Sequence, residues 1–134
     1  DVAVARWTMV REDDVDIDLY LLDPAGELIA SSGAGATDEF IELQLPENGT
    51  YTLYVHGWSV GETPVEFTLD QWLVPLAAGT GNLSITAAPT AAVTGGTGEI
   101  TVSWTGAGAG RSLGAVSHTG PDGLLGLTVV AVDN

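Results

Sequence analysis

A period of two in the apolar residues restricts this chain more than any other feature. In Val15-Asp16-Ile17-Asp18-Leu19-Tyr20-Leu21, the apolar Val15, Ile17, Leu19 and Leu21 fall on one face, and Asp14, Asp16, Asp18 and Tyr20 on the other. Side chains that alternate between two sides belong to an extended strand, and one apolar face makes that strand half-buried. The same rhythm runs through residues 3–10, 28–31, 39–45, 50–56 and 65–73, while helical periodicity is nearly absent. Asp23-Pro24-Ala25-Gly26 reads as a tight turn, with Pro second and Gly fourth. Asn48-Gly49 is a hairpin signal of type I′, because both central positions of that turn take positive φ; it predicts that 50–56 pairs back on 39–45. Strands at this spacing build antiparallel sandwiches or jelly rolls, so the expected class is all-β.

Composition shifts at residues 75–81, after which Glu99, Asp122 and Asp133 are the only acids. The expected division is 1–75, a jelly-roll-like sandwich, and 76–134, a smaller immunoglobulin- or fibronectin-like β unit with strands at 83–86, 99–105, 112–118 and 127–132. Trp104 stands where a core Trp would anchor the second unit, and Trp72 is also expected in a core. Domains this small seldom stand alone without disulfides or a metal. The chain has no Cys, so the units are expected to pack together, bind an ion or lean on a neighbour.

Charge narrows the function classes. Three Arg against 18 acids leave a net charge of −15, which cannot follow a phosphate backbone and is repelled by anionic lipid. Nucleic-acid and membrane partners are therefore excluded, and no apolar run reaches the roughly 20 residues of a spanning helix. There is neither an initiator Met nor a signal-type start, so Asp1 reads as a point within a larger polypeptide.

The residues that could carry chemistry are few. Glu12, Asp13, Asp14, Asp16 and Asp18 crowd one stretch and Asp23 follows; Asp14, Asp16 and Asp18 share a strand face at about 6.6 Å spacing. Crowded carboxylates either bind a hard cation such as Ca²⁺ or form a solvated strand edge that discourages edge-to-edge pairing. An EF-hand is excluded, since Leu19 replaces the required Gly and Ala25 stands where the bidentate Glu belongs. Gly57-Trp58-Ser59-Val60-Gly61 spells G-x-S-x-G, but a nucleophile elbow needs a following helix, and here Pro64 and a strand pattern follow; a loop is expected. Without Lys there is no Walker A motif, and two His without a partner motif make no zinc site. Trp58 and Tyr54 are the candidate substrate contacts, Trp58 because it sits in a Gly-flanked segment.

The stretches 14–21, 26–32 and 39–55 resemble the bacterial pre-peptidase C-terminal domain, through Asp16, Asp18, Leu19, Tyr20, Gly49, Thr50 and Tyr51; the resemblance covers residues 6–72. Trp104, Leu113-Gly114-Ala115-Val116 and 129–132 resemble the fibronectin-like repeat that ends many secreted subtilisin-like proteases. The resemblance implies a non-catalytic accessory region of a secreted peptidase. Its partners would be the upstream peptidase domain of the same polypeptide and a protein or polysaccharide substrate. The resemblance carries over Asp14, Asp16 and Asp18 as calcium ligands, and Asp23 of the acidic cluster joins them as a candidate. The alternatives are a carbohydrate-binding module, for which a coplanar aromatic row on one sheet would speak, and a purely structural spacer.

Overall fold

The computed structural model describes residues 1–11, 15–35, 38–61, 64–77, 79 and 81–134, with the side chain of Arg11 left aside. Among them every regular element is a strand, as the alternation predicts. The chain divides into two compact units, Asp1–Leu73 and Val74–Asn134.

The first unit is a sandwich of two three-stranded sheets. β1 (Val2–Arg11) lies between β4 (Glu39–Gln44) and β6 (Phe67–Pro75) in one sheet. β2 (Asp16–Leu22) lies between β3 (Leu28–Ser32) and β5 (Thr52–Ser59) in the other. The two central strands supply most of the core: Ala5, Trp7 and Met9 from β1 meet Ile17, Leu19 and Leu21 from β2, with Ile41 joining from β4. Met9, Leu19 and Leu21 are wholly buried. The period-two face of β2 is thus the inner face of its sheet, which leaves Asp16, Asp18 and Tyr20 on the outer one.

The connection between β2 and β3 is the expected turn. The Gly26 amide donates to the Asp23 carbonyl at 3.0 Å, and Asp23 Oδ1 accepts the amides of Ala25 and Glu27, both at 2.9 Å. The connection between β4 and β5 is not the expected hairpin. β4 pairs with β1 and β5 pairs with β2, so the chain crosses from one sheet to the other. The Leu45 amide still donates to the Ala3 carbonyl at 2.8 Å, and Leu45 then takes φ 52° to turn the chain away. Gly49 has no positive φ; it is needed for space, because a Cβ there would lie 2.3 Å from Pro24 Cγ. Tyr51 fixes this crossing by donating its hydroxyl to the Glu47 carbonyl at 3.0 Å, in the manner of a tyrosine corner.

The second unit consists of two antiparallel pairs, β7 (Leu83–Ala87) with β8 (Thr101–Trp104) and β9 (Arg111–Gly120) with β10 (Gly123–Asp133). The long hairpin is clasped at its open end by reciprocal backbone bonds between Gly110 and Asn134, and by Arg111 Nε donating to Asp133 Oδ1 at 2.7 Å. Leu83 lies against Gly114, and Val116 is the one buried apolar residue among those described in this unit. Trp104 departs from expectation: it is 43% exposed, because β8 edges a two-stranded sheet and has a partner strand on one side only. Trp72 of β6 is half-buried.

Candidate functional site on the outer face of a sheet

The outer face of the β3-β2-β5 sheet collects most of the residues singled out above. Along β5 every second side chain points outward: Thr52, Tyr54, His56 and Trp58 are exposed, whereas Leu53 and Val55 pack on the core. Register places Tyr20 opposite Tyr54 and Asp18 opposite His56. The rings of Tyr20 and His56 lie 6.1 Å apart with planes at 65°, and those of His56 and Trp58 lie 6.1 Å apart at 74°. Tyr54 is 55% and Trp58 70% exposed, so both expected contact residues face solvent.

Beneath these rings lies Asp18, only 8% exposed although its strand face reads as solvated. Its Oδ2 accepts the Tyr20 hydroxyl at 3.1 Å and lies 3.6 Å from His56 Nδ1, an ion pair when the imidazole is protonated. On its other side the chain leaving β3 passes so close that a Cβ on Gly33 would stand 2.9 Å from Asp18 Oδ1. The hydrogen bond to Asp18 raises the Tyr20 phenol above its ordinary pKa, with desolvation and the carboxylate's charge acting in the same direction.

Three of the four candidate calcium ligands lie among the described residues. Asp16 and Asp18 lie along the same face, Asp23 holds the turn at the far end of β2, and Asp14 lies outside the described residues. Among the described residues no three acidic or imidazole groups form a cation site.

Glu39 is a residue that sequence reasoning missed. It is 1% exposed at the start of β4, where its Oε1 accepts the Ala34 amide at 3.0 Å and its Oε2 accepts the Ser32 hydroxyl. Its parity carried the signal: Glu39 shares the inward face with Ile41 and stands opposite Met9. A buried carboxylate there holds the segment joining β3 to β4, the segment that also covers Asp18.

Gly57, Trp58 and Ser59 extend β5 instead of forming a loop, with Ser59 opposite Asp16 across a bulge. The described residues around Ser59 hold no helix, and His56 faces Asp18, so no nucleophile elbow forms. The sandwich also opens at one end into a cavity of about 460 Å³, walled by Trp7, Leu21, Leu53, Leu69 and Leu73 and closed by the segment 46–49. Glu47 is its only carboxylate among the described lining residues. A cavity of this lining can hold apolar groups, but it offers no paired acid and base.

The first unit is thus an antiparallel sandwich with an aromatic row on one outer face. Residues 6–57, from β1 into β5, match the model of the bacterial pre-peptidase C-terminal domain. The chain is similar to Pyrolysin of Pyrococcus furiosus, at 34% identity over 73 residues. Those residues are 52% of this chain and 5% of Pyrolysin, so the chain spans a small fraction of that relative. No solved structure matches the chain.

Proposed function

We propose that the chain is the non-catalytic C-terminal accessory region of a secreted peptidase, attaching the enzyme to protein substrate and stabilising it. The match of residues 6–57 to the pre-peptidase C-terminal domain carries this reading. The exposed row on β5 supports the attachment role, because a half-exposed aromatic strip on a rigid sheet is a contact surface rather than a reaction site. In this reading Val74–Asn134 is the smaller, fibronectin-like β unit of that accessory region. Calcium enters the proposal only through Asp14, Asp16 and Asp18, and a melting midpoint unchanged by chelator removes it.

The test compares a peptidase polypeptide carrying this chain with the same polypeptide lacking it. Loss of the chain is expected to lower hydrolysis of insoluble protein far more than that of a short soluble peptide, and to shorten the half-life on heating. Equal rates on both substrates together with an equal half-life would refute the reading, as would proteolysis of casein by the isolated chain.

A further inference from the structure

We propose that the outer face of the β3-β2-β5 sheet binds extended polypeptide through its Arg and Lys side chains, which lie against the solvent-facing sides of the Tyr20, Tyr54, His56 and Trp58 rings, within the field of the Asp18 carboxylate. The proposal rests on the attachment reading above and names the class of substrate that surface takes.

Three observations carry it. The first is charge complementarity: the chain is at −15, and Arg6, the one described guanidinium of the first unit, is already paired with Glu42 and lies over the Phe40 ring at 5.7 Å on the other sheet. Among the described residues of the first unit, a cation approaching the aromatic row meets no free Lys or Arg charge, and it gains the field of the half-buried Asp16 and the buried Asp18. The second is ring geometry. Planes turned by 65° and 74° share no common plane on which successive sugar rings could stack, and their edge-to-face contacts hold the rings in a fixed row with the outer faces open to solvent. An ammonium or guanidinium needs only one ring face and a nearby carboxylate. The third is spacing. Tyr54, His56 and Trp58 repeat every second residue of a strand, about 6.8 Å apart, which matches the same-side spacing of an extended peptide laid along them.

The test titrates the 134-residue chain with a hexa-arginine peptide, an uncharged hexapeptide and a cello- or chito-hexaose, following Trp fluorescence and calorimetric heat. Hexa-arginine is expected to bind, the uncharged peptide and the sugars not. Trp58→Ala and Asp18→Asn should each weaken hexa-arginine by about fivefold or more. Phe40→Ala, an exposed ring on the other sheet, should leave it unchanged, and circular dichroism shows whether Asp18→Asn still folds. Equal affinity in all three variants would mean that −15 net charge alone collects cations, and would overturn the proposal. So would sugar binding without peptide binding, or Trp58→Ala acting only by abolishing self-association. Failure of the chain to affect a parent peptidase would sink the attachment role while leaving a measured peptide site standing, so the two readings fail separately.

Discussion

Leu19→Ala is the sharpest probe of the architecture. Leu19 has no exposed surface and sits at the middle of the central strand, between Ser32 of β3 and Val55 of β5, facing the Ala5-Trp7-Met9 side of the other sheet. Truncating a buried Leu to Ala loses the transfer free energy of the removed carbons and leaves a cavity, together about 2–5 kcal/mol. Hydrogen-bonded strands on both sides keep this site from collapsing fully, which places the cost near the middle of that range, roughly 3–4 kcal/mol. A unit of this size shifts its midpoint by about 4–8 °C per kcal/mol, so Tm should fall by roughly 12–30 °C. Leu28, 59% exposed on the edge strand β3, provides the control: Leu28→Ala should stay within about 0.5 kcal/mol of the parent. Near-ultraviolet circular dichroism and calorimetry read both. A Leu19→Ala midpoint within a few degrees of the parent would refute the assignment of β2 as the central, two-sided strand.

Gly49→Ala should destabilise by about 1–3 kcal/mol through its clash with Pro24, and a Pro24→Ala, Gly49→Ala double variant should recover most of the loss in urea melts. In a spectroscopic pH titration one tyrosine should ionise above the ordinary range. Tyr20→Phe should remove that step, because the hydrogen bond to Asp18 holds the phenol neutral until the pH rises past its raised folded value. Arg111 holds the Asp133 carboxyl below its ordinary pKa by hydrogen bonding, so the clasp of the β9–β10 hairpin is complete above the unfolded carboxyl pKa and lost as pH falls through the lowered folded one. Amide exchange at Gly110 and Asn134 should quicken over that acid range, and Asp133→Asn should abolish the dependence. Glu39→Ala should cost about 2–4 kcal/mol by removing the acceptor of the Ala34 amide and the Ser32 hydroxyl, whereas Glu39→Gln, which keeps a carbonyl, should cost less.

The strands are legible in the sequence because strand periodicity is a property of the local chain. Every expected run is a strand in the structure, and the inner face of β2 is the one its parity indicates. Pairing partners are not local. Asn48-Gly49 carries a hairpin signal, yet the sandwich needs this segment to cross between sheets, and the glycine serves a close approach to Pro24 that no neighbour in sequence reveals. Trp104 shows the same limit in reverse: a Trp is buried only when another layer covers it, and the edge of a two-stranded sheet leaves it open. The outer face was legible on β2, where Asp16, Asp18 and Tyr20 share it; that Trp58 continues β5 beside Tyr54, instead of entering a loop, was not legible. That Asp18 is buried, lies opposite His56 and is covered by the chain at Gly33 depends on register between distant segments. The buried Glu39 could have been found from its parity with Ile41.

Isotope-labelled chain titrated with hexa-arginine and followed by amide and ring chemical shifts tests the recognition surface most directly. Movements confined to Asp18, Tyr20, Tyr54, His56 and Trp58 are the predicted result. Shifts gathered instead on Leu53, Leu69 and Leu73 around the end cavity, or spread evenly over the acidic surface, would contradict the account.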